Sequence, residues 1–317
     1  MLLLLLLSLL PLLLLAEERA GAVGAKEAQA MRLVGEVAAV AGDRLVLPAV
    51  AIGNAGQLAC DLLLNTLQAE GERVERIGAL RSRHVLPMVG VDPLDVPEGE
   101  EPGRMCVNLE LFRVPERQLS VLQVRAPIVE GAMQDFADEV VAWAKEAQFS
   151  SILLLGAADS ASAVHLEEVM TGQFRFEANS HVSPAQVADL EAKGLQRLAA
   201  PGQAAQADGA VHPPAPPLQD ADKLADELAD EDVPKPVFDI AKAGLLNPMF
   251  RASEAARVAL VALTLFCKEG NNIPEACMMA AAANAVAAVF ASPPSRWSPP
   301  KCWSYLDGAN PELSLFM

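Results

Sequence analysis

Residues 45–52 are continuously apolar except at Pro48, which predicts a strand covered on both faces, as in a parallel or mixed α/β sheet. Gly53 and Gly56 then allow a tight reversal, and Asn54 can sit left-handed or bond its own backbone. From Gln57 onward the composition is helical, with Leu58, Leu62 and Leu63 on one core stripe. Residues 70–83 are charged and turn-like, 84–90 resume a short apolar strand, and 92–104, rich in Pro, Gly and Glu, predict a surface loop. Polar and apolar positions alternate over 107–113 and again over 119–124, around a turn at 115–117, which predicts a β-hairpin.

Over 131–149 the period changes to steps of three and four, through Met133, Phe136, Val140, Trp143, Ala144 and Ala147. Asp135 and Glu139 lie early in this helix and Lys145 late, matching its dipole. Residues 152–156 predict another buried strand and 186–199 a helix. Ser253 is placed to cap a helix ending near Gly270, and Pro274 opens a second one with Met279, Ala283, Val286 and Phe290 on one face. Joined through 268–273, these two form a predicted helical hairpin over 253–290. Pro293, Pro294, Pro299 and Pro300 force the remaining chain, with Trp297 and Trp303, into an extended tail.

Strands interleaved with helices at this spacing predict a three-layer α/β/α domain with a mixed sheet, because hairpin and crossover connections coexist. Its expected limits are 45–292, after a leader and poorly structured segment at 1–44 and before the tail at 293–317. Within it, the Pro/Ala/acidic stretch 200–236 is too poor in apolar residues to offset ordering entropy and is expected to be a mobile loop.

Composition sharpens the picture. A hydrophobic content of 52% makes most of the 317 residues globular, and a net charge of −17 argues against nucleic acid as a partner. The cysteines, at 60, 106, 267, 277 and 302, form an odd set without a C-x-x-C pair, as expected of free thiols in a reducing compartment. The leader points the other way: leucines broken only by Ser8 and Pro11 run to Leu15, like the apolar core of a signal peptide. It is too short to span a bilayer comfortably and lacks a basic start. No Asn-x-Ser/Thr acceptor occurs in the chain. Two readings stand: secretion, or an atypical start with Met31 as the next initiator.

A helix start at a strand's end can present N–H groups to a phosphate, and close packing of helix on strand is the other use of such glycines. The turn lacks both the P-loop Lys-Ser/Thr and the three-glycine dinucleotide spacing. There is no Gly-x-Ser-x-Gly elbow; Asp159, Ser160, Ser162 and His165 make the best catalytic cluster, without a second base or an oxyanion donor. His165 with Glu167 and Glu168 lacks the second half of a metal set.

Four blocks then carry a resemblance: residues 47–58 (LPAVAIGNAGQL), 86–90 (LPMVG), 269–274 (EGNNIP) and Ser295-Arg296-Trp297 with Trp303. In this order they are similar to the proteasome assembly chaperone 2 family, from about residue 45 to the C-terminus. The resemblance implies a phosphorylase-like α/β core without a known activity and without a cofactor, in the cytoplasm and nucleus. It implies pairing with proteasome assembly chaperone 1, binding to 20S proteasome α subunits, correct α-ring assembly and prevention of off-pathway α-ring dimers. No nucleic acid and no membrane are implied. On this likeness Gly53, Asn54, Gly56, Gln57, Gly270, Asn271, Pro274 and Trp297 are motif residues with structural roles. Leu315, Phe316 and Met317 follow the family's tail order of hydrophobic, aromatic and any last residue, and would dock between α subunits. The heterodimer contact is expected on the 253–290 hairpin and the helix after Gly56. The alternative is a nucleoside-phosphorylase-like enzyme using the turn from Gly53 to Gln57 for phosphate and the loop from Asp159 to His165 for acid/base work.

Overall fold

A computed structural model describes residues 31–35, 40–94, 104–162, 174–198, 243–301 and 303. The leader before residue 31, the 200–236 stretch, His165, Glu167, Glu168 and the tail residues Leu315, Phe316 and Met317 lie outside them.

The elements run β1 (Arg32–Gly35), β2 (Arg44–Pro48), α1 (Ala55–Ala69), β3 (Glu75–Arg81), β4 (Val89–Val91), β5 (Met105–Val107), β6 (Leu109–Val114) and β7 (Leu119–Val124). They continue with α2 (Met133–Glu146), β8 (Ser151–Asp159), β9 (Arg175–Ala178), α3 (Pro184–Ala192), β10 (Gln196–Arg197), α4 (Leu246–Ala256), β11 (Leu260–Cys267) and α5 (Ile273–Ala287). A nine-stranded sheet has the order β1-β3-β6-β7-β2-β8-β11-β9-β10, and β4 with β5 forms a separate two-stranded ribbon. β7, β2, β8 and β11 are parallel neighbours, whereas β1–β3, β3–β6, β6–β7 and β9–β11 pair antiparallel. The sheet is therefore mixed, as the alternation of hairpins and crossovers predicts.

Helices cover both faces. Leu45, Leu47, Ile152, Leu154, Leu260 and Ala262 point to a core built with Phe136 and Val140 of α2 and Leu246 and Met249 of α4. Val46, Leu153, Leu155, Leu263 and Leu265 point to the opposite core with Leu62 and Leu63 of α1 and Met279 and Ala283 of α5. With period-two side chains and two covered faces, the central strands read as unbroken apolar runs. Among the described residues no helix is long and apolar enough to cross a membrane.

The expected helical hairpin over 253–290 is corrected in its first half. Ser253 lies inside α4, fully buried, where its hydroxyl donates to Phe250 O at 2.9 Å, and so it caps nothing. The chain leaves α4 through Arg257 in the left-handed region (φ 58) and enters β11, beside β8. A short run that is apolar but for Thr264 suits a buried helix or a buried strand equally by periodicity; here parallel pairing with β8 satisfies its backbone. The second half, α5, is helical as predicted. Further strands lie where none was read: β3, in the stretch taken as turn-like, β1, inside the segment expected to be poorly structured, β9, and β10, which takes the end of the 186–199 stretch predicted as a helix, so that α3 stops at Ala192. β3 carries charge into the sheet because Arg76 is ion-paired to Asp92 and Glu110. The first part of the tail also folds onto the domain: Ser298 N donates to Thr66 Oγ1 at 3.0 Å, Asn65 Nδ2 donates to Ser298 O at 2.9 Å, and Trp303 is buried.

Candidate functional site

The glycine turn is closely packed. After β2, Val50 is held at φ 45, a strained setting for a β-branched residue, and Ile52–Asn54 form a single 3-10 turn. Gly53 has φ 70, and a Cβ there would fall 2.5 Å from Asn272 Nδ2. At Gly56 a Cβ would fall 2.3 Å from Leu155 O, so this glycine lets α1 sit directly on β8. Asn54 is left-handed and accepts a 3.3 Å bond from Gln57 Nε2. Two motif blocks far apart in sequence thus meet. Asn272, buried, donates to Lys268 O and Gly270 O at 3.0 Å; Asn271 Oδ1 accepts from Ile273 N, and Pro274 sits in the first turn of α5. Trp297 lies elsewhere, edge-on to Phe290 at 5.8 Å.

What surrounds the turn suits packing better than phosphate. Ile52, Ala55, Ala157 and Cys267 form a small apolar cluster at this end of the strands. Burial, with Glu275 and Asp159 nearby, pushes the Cys267 thiol up to about 11, so the fixed charges felt there are negative. Asp159 Oδ1 accepts from Ala161 N, and Ser160–Ser162 form a short turn. A cavity of about 110 Å³ lies at the opposite end of the sheet, between Arg44, Ser151, Gln186, Asp189 and Val261. Ligands of open α/β sheets gather at the carboxyl ends of the strands, and this cavity is at the amino ends.

Sequence reading missed a buried charge network beside α1. Arg125 forks onto Asp61, both bonds 2.8 Å, and Gln123 Nε2 adds a third bond to Asp61 at 2.7 Å. Arg125 also reaches Glu110, which pairs with Arg76, and Arg76 in turn holds Asp92 at the end of β4. Burial raises the Glu110 carboxyl against the pull of Arg76 and Arg125. Burial opposes the charge of Arg125, but Asp61 and Glu110 outweigh it and raise the guanidinium. These residues are scattered through the sequence as ordinary surface charges, and only the fold brings them together. The one signal was the placement of Glu110 and Gln123 in largely apolar strands.

The network anchors the β4–β5 ribbon by its inner side, where Cys106 is buried and its Sγ donates to Val91 O. The outer side is different. Val89, Val91 and Met105 are 67%, 75% and 59% exposed, and Leu86 and Met88 leading into the ribbon are 44% and 48% exposed. In contrast, the surfaces expected to hold a partner are mostly core: α1 buries Ala59, Cys60, Leu62, Leu63, Leu64 and Leu67, and α5 buries Ala276, Met279, Ala280 and Ala283. α1 and α5 pack over the same face of the sheet, and that contact consumes their apolar stripes. The sequence had predicted a short apolar strand at 84–90 before the Pro/Gly/Glu loop, but not its pairing with residues 105–107.

Layered helices on a mixed sheet, a packed glycine turn and an open apolar ribbon define an α/β scaffold that offers surface more than a pocket. The chain belongs to the PAC2 family, whose model matches residues 45–295. A Xenopus tropicalis protein named proteasome assembly chaperone 2 is 27% identical over 279 residues, covering 86% of this chain and 94% of that one. A Homo sapiens protein of the same name is 24% identical over 284 residues, covering 87% and 96%. Among solved structures, Pyrococcus furiosus PbaA, described as an archaeal homolog of proteasome-assembly chaperone, shares the fold with a TM-score of 0.51 and 13% identity, covering 83% of this chain and 88% of that one.

Proposed function

We propose that this chain is a non-catalytic proteasome assembly chaperone subunit. It pairs with proteasome assembly chaperone 1 in the cytoplasm and nucleus, binds 20S α subunits, promotes correct α-ring assembly and keeps α rings from dimerising off-pathway. The observation that carries this reading is the family match over residues 45–295, with relatives named as assembly chaperones along nearly their whole length. Two features of the site support it. The glycine turn is closed by Asn272 and the Leu155 carbonyl, and burial raises the thiols of Cys60, Cys106, Cys267 and Cys277, which leaves them poor nucleophiles. A ring chaperone needs contacts that are broad yet separable; in this reading Leu315, Phe316 and Met317 dock between α subunits, with Phe316 in an apolar groove and the terminal carboxylate on a lysine.

The test is affinity purification of the full chain from cells of its own organism, with partners identified by mass spectrometry. Recovery of proteasome assembly chaperone 1 and unassembled α subunits, without mature proteasomes, is the expected result. A lone monomer, or phosphate-dependent turnover of a nucleoside, overturns the proposal. Phe316→Ala should weaken α-ring capture and leave the pairing with the other chaperone intact.

A further inference from the structure

We infer that the outward face of the β4–β5 ribbon is the standing contact for a second, different protein chain, one whose facing surface is apolar and rimmed with carboxylates. This rests on the chaperone reading and adds where the paired subunit sits.

In the ribbon Val89 pairs with Val107 and Val91 with Met105, so these side chains share one face. A ribbon exposed on one side ordinarily turns polar residues outward; here the outward positions are apolar. Leu86 and Met88 continue the patch, held in place where Leu86 N donates to Pro127 O at 3.0 Å and Asn108 Nδ2 donates to Leu86 O at 3.1 Å. The face is also preorganised. Arg76 clamps Asp92 from below and Cys106 is buried under the ribbon, so little ordering entropy remains to be lost on binding.

Charge identifies the occupant. Arg104 directly precedes Met105, and the β3–β6 register, with Ala79 opposite Glu110, carries Arg81 alongside Asn108 next to Leu86. Both arginines are exposed and make no ion pair among the described residues, although the chain holds 41 acidic side chains. Apolar side chains with flanking arginines have the composition of interface cores, and guanidiniums that meet no carboxylate among the described residues suit carboxylates opposite. A second copy of this chain does not fit. A two-fold contact would set the same patch on both sides, bringing arginines and apolar side chains but no described carboxylate to meet the arginines, between two bodies of net charge −17. The contact is standing because an open apolar ribbon invites aggregation whenever it is uncovered, and permanent hetero-complexes have the more hydrophobic interfaces.

The experiment uses the full chain co-expressed with proteasome assembly chaperone 1 of the same organism. In Val91→Asp/Met105→Asp the affinity for that subunit should fall about thirtyfold or more, the loss of a buried interface anchor, with the melting temperature of the chain unchanged. Arg104→Glu should weaken association and shift its salt dependence. Hydrogen exchange on the wild-type complex gives a second readout that needs no variant: amides of 89–91 and 105–107 should slow on pairing. Wild-type pairing with unchanged affinity in the double variant, no protection of the ribbon, or a homodimer closed by this face would overturn the inference. Wild-type chain that binds neither the other chaperone nor α subunits would instead sink the chaperone reading itself.

Discussion

At Gly56 the absence of one methyl group sets the distance between α1 and β8. A Cβ there would press on the Leu155 carbonyl at 2.3 Å, which is backbone and cannot rotate away. Gly56→Ala should therefore lose about 1–3 kcal/mol in urea unfolding, the range of an overpacked core. Gly71→Ala is the control. Its φ of 83 disfavours alanine but nothing lies within 4 Å, so it should lose only the left-handed penalty of about 1–2 kcal/mol. At Arg125 the issue is charge. Arg125→Met would strand Asp61, now held by two guanidinium bonds, in a buried site, and should destabilise by about 3–5 kcal/mol in the same assay. The glycine was legible in the sequence because a turn signal precedes a helix there. Asp61 was not, since its partners lie 62 and 64 residues away.

At the scale of elements, α2 is held to the loop after β3 by Glu139, which accepts a hydrogen bond from the Ser82 hydroxyl. Burial raises the Glu139 carboxyl above its ordinary value, against the lowering effect of Ser82 and the nearby His84 and Arg83 charges. The folded state thus holds this proton more tightly than the unfolded chain does. Stability should fall as pH rises from the ordinary carboxylate pKa through the raised folded one, and return on acidification across the same window. Glu139→Gln keeps an acceptor for Ser82 and removes the charge, so its stability should vary less with pH there; denaturation midpoints measured from below pH 5 to pH 7 check this. Elements with a distinct period were readable: the β6–β7 hairpin and α2 lie where alternation and three-four spacing put them. β11 was not, because a run apolar at every position but Thr264 has no period to read. β3 was hidden by Glu75, Arg76 and Arg81, whose charges look like a surface until Asp92 and Glu110 arrive beside Arg76.

For the whole molecule, the layers close only when the start of the tail is included. Ser298 bonds Thr66 and Asn65 on α1, Trp297 meets Phe290, and Trp303 is buried, although the family model stops at residue 295. A chain ending at residue 292 should be less stable by about 2–4 kcal/mol, the sum of a lost aromatic burial and two hydrogen bonds. Thermal unfolding of the truncated and full chains checks it. The sequence by itself determined the α/β class, the strand–glycine–helix unit and the family likeness, because these rest on local geometry and on motif order along the chain. Tertiary structure alone decided that residues 260–267 are a strand, that α1 and α5 bury each other's apolar faces, and that the β4–β5 ribbon keeps an apolar face open. The reason is physical. Periodicity states which side chains would share a face, but whether that face meets water or another element depends on neighbours that are distant in sequence.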